Sequence, residues 1–401
     1  MLSSSIHIKI ALSYFVIASF LGIFLRLFAI IDFDATHKFI VHTHSHIALL
    51  GWVYVALSSL LVQIGIQKKY MHKYIPIFWC TQVTIIGMLL TFPFIGYAVY
   101  SIIFSTLFII CTYWFFVFYR KYHTMKTTSI SFKFINLALI FMVISSIGPW
   151  ALGIIMNTLG STSHWYTNAI YFYLHFQYNG WFIFSLLGIF FYILEYNTIS
   201  YSVRSAKKVY VLMMWSCIGT LFLSFLWMDP HKSIQLIAWL GAIVQLVAVG
   251  FLFTIMYLVK DQLKNALNVN GFALLKFTFL LFIVKVIAQF ISAFPNIAIL
   301  INKNIDLVIG YLHLVFLGVV SISIILFLTF FKILIISRVG LFIYLMGFIL
   351  SEFVIFYKGF AIWNQGSIPD KYYEILVCFS ALMPIGILLI YIKNFTSQRP
   401  N

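Results

Sequence analysis

At 401 residues, 63% hydrophobic and only 8% charged, the chain is far too apolar for a soluble domain of its size and reads as an integral membrane protein. A formal charge of +16 would suit a nucleic-acid surface if it were clustered. The basic residues instead fall on alternate connections between apolar runs, which excludes nucleic acid and names the lipid bilayer as the surrounding partner. Cys80, Cys111, Cys217 and Cys378 lie inside apolar runs without CxxC or CxxCH spacing, so they argue against a disulfide framework, a zinc site or a covalently attached c-type haem.

Apolar runs long enough to span a bilayer occur at about 10–31, 44–66, 75–97, 98–119, 134–157, 168–194, 209–228, 233–258, 272–293, 306–330, 339–357 and 372–392. They predict about twelve helices in one polytopic membrane domain covering 1–401, with no linker-like stretch between them. The first run has no small-residue cleavage site after it and is expected to remain as a helix. Lys68, Lys69 and Lys73, then Arg120, Lys121, Lys126 and Lys133, then Arg204, Lys207 and Lys208 sit on even-numbered connections, as do Lys332 and Arg338. By the positive-inside rule both termini are cytoplasmic, in a bacterial-type inner membrane.

Run 1 carries Arg26 in its outer half. Run 2 opens on Val41-His42-Thr43-His44-Ser45-His46 and continues through Leu50-Gly51-Trp52. Runs 3 and 4 are separated only by Thr91 to Gly96. Run 6 contains His175, followed by Gly180-Trp181; run 9 contains Lys285; run 10 contains Tyr311-Leu312-His313 with Gly318; run 11 contains Glu352. Histidine followed five residues later by glycine therefore recurs at His46, His175 and His313, four helices apart each time. That spacing predicts three pseudo-repeated four-helix arcs.

All three histidine helices run from outside to inside, which puts His44 or His46, His175 and His313 about 10 Å below the outer surface. A histidine within a membrane helix is costly to desolvate and is a functional candidate. Taken singly, each could simply bond a carbonyl of a neighbouring helix; equal depth on different helices is what a shared haem requires, because iron in a helix bundle is held by facing imidazoles. At about 100° per residue, His42 and His46 share a face and His44 points nearly the opposite way. Arg26, Lys285 and Glu352 each need a partner: a haem carboxylate for Arg26 and Lys285, or a Lys285–Glu352 pair with Arg26 snorkelling.

Helix 2, with His44-Ser45-His46 ahead of Leu50-Gly51-Trp52, resembles the haem-bearing helices of the haem-copper oxidase catalytic subunit (subunit I), especially C-type cytochrome oxidases and nitric oxide reductases. Helix 6, His175 with Gly188 and Tyr192, is similar to the family helix whose histidine binds copper, and helix 10 is similar to the one carrying two haem ligands as His-x-His. The resemblance extends over the whole chain. It implies that His313 is a low-spin haem ligand, with His44 or His46 opposite it depending on where the alignment is anchored. Tyr311 stands where the family has its high-spin haem ligand, helix 7 has no histidine pair, and His231 beyond it is a poor replacement, so His175 would be alone at the copper position.

The expected protein is thus a b-type haem protein working in electron transfer or redox sensing, with a redox partner subunit or cytochrome, and with the high-spin haem and copper centre lost. Its metal and cofactor candidates are His44, His46, His313, His175 and Arg26. Two rival readings use the same residues: a copper or haem transporter or assembly factor, and an atypical terminal oxidase or nitric oxide reductase.

Overall fold

The computed structural model describes residues 3–396. Among the described residues, twelve helices are long and apolar enough to cross a membrane. They are α1 (Ile6–Leu27), α2 (His37–Gly65), α3 (Lys68–Ile95), α4 (Val99–Tyr122), α5 (Ile130–Thr158) and α6 (His164–Tyr196). The others are α7 (Val203–Met228), α8 (Lys232–Leu258), α9 (Lys260–Ser292), α10 (Ile305–Phe330), α11 (Arg338–Trp363) and α12 (Tyr372–Thr396). The protein is an all-α, multi-pass membrane protein, as its composition requires.

Two boundaries differ instructively from the sequence expectation. Helix α2 starts at His37, seven residues before the apolar run, because the polar turn around Thr43 is helical and the Thr43 hydroxyl donates back to the Phe39 carbonyl at 2.9 Å. All three histidines therefore lie within the helix. Helix α9 starts at Lys260 but breaks at Asn268, whose φ of 57° is non-helical. There the Asn268 side-chain oxygen accepts from the Gly271 amide at 3.0 Å and caps the apolar segment that follows.

The chain forms two compact units, one holding residues up to Thr124 together with those from Phe327 onward, the other Met125–Leu326. In the first, α1 packs on α2 and α12, α2 on α3, α3 on α4, and α11 on α12. In the second, α5 packs on α6, α7 on α8, α8 on α9, and α9 on α10. Small residues allow the closest approaches, since helices in lipid associate by packing. A Cβ on Gly219 of α7 would stand 2.8 Å from the Gly241 Cα of α8, and one on Gly386 of α12 would stand 2.5 Å from the Gly340 carbonyl oxygen of α11.

Helices α2, α6 and α10 share a backbone feature that the sequence did not announce. Each changes from α to π geometry immediately after its histidine: Ile47–Tyr54 follows His46, Phe176–Phe182 follows His175, and Leu314–Ser321 follows His313. Such widened turns insert a residue into the helix, redirect side chains and cluster at functional sites. The glycine of each repeat lies within its π segment, and in two cases it receives an aromatic ring from the preceding helix. A Cβ on Gly51 would meet Tyr14 of α1 at 2.8 Å, and one on Gly180 would meet Phe141 of α5 at 2.7 Å. These three helices are also the most enclosed: 83%, 89% and 72% of their most apolar stretch is buried, against 33–50% in the other nine.

Beyond the spans, Tyr201 donates to Glu195 at 3.0 Å, and the same carboxylate accepts from the Ser131 amide at 3.2 Å and from the Ser131 hydroxyl. Burial and the Glu195 charge push the Tyr201 phenol well above its ordinary range, so it stays a donor and ties the end of α6 to the start of α5.

Candidate functional site

In the first unit the histidines of α2 separate by face, as the helical period requires. His42 and His46 both meet Tyr97, with ring centroids 4.6 and 5.9 Å away, and His46 lies 4.4 Å from the Phe92 ring. His46 is held through both nitrogens: Nδ1 donates to the His42 carbonyl at 2.7 Å, and Nε2 accepts from the Tyr97 hydroxyl at 3.3 Å.

His44 faces α1 instead. Its Nδ1 donates to the Ala18 carbonyl at 2.9 Å, which fixes the tautomer and leaves the basic lone pair on Nε2. That is the arrangement in which a metal-binding histidine is ordinarily held, one nitrogen anchored to a carbonyl and the other carrying the metal-binding lone pair. The ring can approach because α1 presents a glycine: a Cβ on Gly22 would stand 3.2 Å from His44 Cε1. Ala18, Gly22 and Arg26 are spaced by four and form one stripe on α1, so Arg26 follows one turn beyond the imidazole.

Arg26 is coupled electrostatically to Glu352 of α11 and to Tyr372 of α12. Its Nη1 is buried without a hydrogen-bond acceptor. Glu352, 7% exposed, has Arg26 as its cationic neighbour. Of the cations weighed from the sequence, Arg26 is the one coupled to Glu352 within the first unit, while Lys285 has partners of its own in the second. On the neighbouring turn of α2, Trp52 stacks on Phe15 with centroids 4.4 Å apart and an interplanar angle of 3°.

In the second unit His175 is fully buried and held through both nitrogens. Nε2 donates to the Cys217 carbonyl of α7 at 2.8 Å, and Nδ1 accepts from the Asn179 amide at 3.2 Å. A metal at His175 would have to displace one of them. Asn179 in turn presents Oδ1 to Lys285 Nζ at 2.5 Å, and Lys285 also donates to Gln289 Oε1. Tyr178 lies against Tyr311 at 6.3 Å and Phe316 at 5.8 Å, and the Tyr311 hydroxyl is buried without a hydrogen-bond partner. His313 occupies the last α-helical position before the π segment of α10. His231 caps the start of α8, its Nδ1 accepting from the Ser233 amide at 3.3 Å.

Asn179, Gln289, Gly22 and Tyr97 were missed from the sequence. A signal for the first two was present, since an amide four residues after His175 and another four after Lys285 put paired polar groups on single faces of apolar helices. Among the described residues, no three His, Cys, Asp or Glu side chains are grouped so as to hold a metal ion. No family model matches the chain, and no curated protein matches it. Fold and packing define a twelve-helix membrane protein whose three most enclosed helices each place a histidine before a widened turn.

Proposed function

We propose that this protein is a membrane cytochrome of the inner membrane, resembling the haem-copper oxidase catalytic subunit, that binds one low-spin b-type haem for electron transfer or redox sensing. The observation that carries the reading is His44, whose Nδ1 is anchored on the Ala18 carbonyl beside Gly22. Of the two candidates on α2, His44 and His46, this reading takes His44, which is held on the carbonyl of a neighbouring helix, as the axial ligand. The second axial ligand is assigned to His313 from the sequence repeat.

When bound, haem would supply one-electron chemistry; the chain's part is to hold it in a dry environment and set its charge balance. The Arg26 Nη1 lacking an acceptor suits a carboxylate of the haem. Glu352 tempers that cation, so the net charge presented there is small. The recurrence of a π segment after each histidine, and of glycine contacts in α7–α8 and α11–α12, supports the three-arc repeat. The charge placement supports cytoplasmic termini.

Copper is not part of this reading, because among the described residues no three donors are grouped to hold it and His175 is bonded to Cys217 and Asn179. The test is a reduced-minus-oxidised spectrum with metal analysis of the purified protein. Sharp low-spin bands that disappear in His313→Ala are expected. Copper without haem would overturn the reading in favour of a copper transporter or assembly factor, and haem with stoichiometric copper would favour a terminal oxidase or nitric oxide reductase.

A further inference from the structure

The first unit concentrates positive charge at one end of its helices. Between Asp34 and Glu195 the sequence has no acidic residue, so the connections from α2 to α3 and from α4 to α5 carry basic groups alone. Carboxylates of the first unit stand elsewhere. Asp32 and Asp34 precede α2, at its opposite end, and with alternate crossings Asp370 and Glu374 at the start of α12 share that opposite end. Glu352 is buried within α11.

At the basic end the two connections are fastened together. Ile66 and His123 form an antiparallel bridge, and the Thr124 amide donates to the Gly65 carbonyl at 2.9 Å. This brings Tyr70 against Tyr122, with ring centroids 4.7 Å apart, and Lys73 Nζ donates to the Tyr122 hydroxyl at 2.9 Å. Three ammoniums collect on the two rings. Lys69 stands 4.8 Å from the Tyr70 centroid, and Lys73 and Lys121 stand 4.7 and 5.7 Å from that of Tyr122. All three lysines are exposed. Lys73 and Lys121 share one ring, so salt screens their repulsion only in part, and an anion placed between them is correspondingly favoured.

The surface next to this cluster is apolar. Ile75, Trp79 and Val83 are exposed on α3, and Trp114 and Val117 on α4. Lys121, Val117 and Trp114 are spaced by four and three and therefore lie on one face of α4. Trp79 and Trp114 are each about 10 Å along their helix from Lys73 and Lys121, the position an interfacial indole takes below the headgroups. Charge above and apolar surface below is the order in which a phospholipid presents its own parts.

We propose that Lys69, Lys73 and Lys121, set on Tyr70 and Tyr122, bind the phosphate of one anionic glycerophospholipid whose acyl chains run along α3 and α4. The phosphodiester oxygens accept from the ammoniums, and each lysine adds to the attraction for a negatively charged headgroup. A zwitterionic headgroup has the same phosphate but brings its own cation, which the lysines repel. The site lies wholly within the first unit and is independent of haem.

The experiment follows the thermal midpoint of the full-length protein in detergent as phosphatidylglycerol is titrated into the micelles. Parallel arms at constant ionic strength use phosphatidylcholine with the same acyl chains, and inorganic phosphate. A saturable rise with phosphatidylglycerol alone is expected, since a ligand bound only by the folded state stabilises it by mass action. The triple variant Lys69→Gln, Lys73→Gln, Lys121→Gln should raise the half-saturating lipid fraction on the order of a hundredfold. The variant Lys207→Gln, Lys208→Gln, Lys264→Gln makes the same change of charge at exposed lysines of the second unit and should leave half-saturation unchanged. An equal rise with phosphatidylcholine, a response that survives the first triple variant, or an equal loss in the second would overturn the proposal. A rise with inorganic phosphate alone would overturn the lipid as occupant.

Discussion

Arg26 in the first unit and Lys285 in the second are both cations inside membrane helices, and they are balanced by opposite means. Arg26 has a carboxylate, Glu352, and keeps one guanidinium nitrogen without an acceptor beside the helix face that holds His44. Lys285 has the amide oxygens of Asn179 and Gln289. Among the histidines, His44 is anchored to the Ala18 carbonyl through Nδ1, and His175 to the Cys217 carbonyl through Nε2. A histidine followed by a π segment occurs in both units, at His46 in the first and at His175 and His313 in the second.

The sharpest break between the two is charge removal. Glu352→Gln takes away the carboxylate coupled to Arg26 and is expected to lower the thermal midpoint. Lys285→Met removes the charge but leaves the Asn179 and Gln289 oxygens without their donor, and is expected to cost about 1–3 kcal/mol. Equal losses in both variants would erase the distinction. Next in size is Gly180→Ala, which puts a methyl 2.7 Å from Phe141 and should cost about 1–3 kcal/mol. Gly51→Ala, facing Tyr14, should match it if the two π segments are equivalent.

Tyr97→Phe removes the hydroxyl bonded to His46 and should cost about 0.5–1.5 kcal/mol without altering the haem spectrum. A shifted spectrum in that variant would instead favour His46 as the ligand. The smallest effect is expected of Gly22→Ala: the methyl must push the His44 ring by a few tenths of an ångström, because only 3.2 Å separates them. The haem should remain bound with a displaced or broadened reduced band.

Twelve apolar runs gave the helix count directly, and the 100° step of a helix placed His42 and His46 on one face and His44 on another, where the Tyr97 and Ala18 contacts now put them. The start of α2 was misplaced because hydropathy does not register the polar turn from His37 to Ser45, which is helical all the same. The π segments were invisible for a different reason. A single inserted residue leaves the apolar pattern of the run unchanged, so hydropathy does not distinguish a π turn from an α turn. Lys285 was conspicuous as a charge, but Asn179 and Gln289, its hydrogen-bond partners, were not singled out, although they lie four residues from His175 and Lys285 respectively.

The most direct measurement compares the reduced-minus-oxidised spectra of His44→Ala and His46→Ala prepared alongside the natural protein. Loss of the low-spin bands in His44→Ala with their retention in His46→Ala is the predicted result. An intact haem spectrum in His44→Ala would contradict the assignment of the imidazole anchored on Ala18 as the iron ligand.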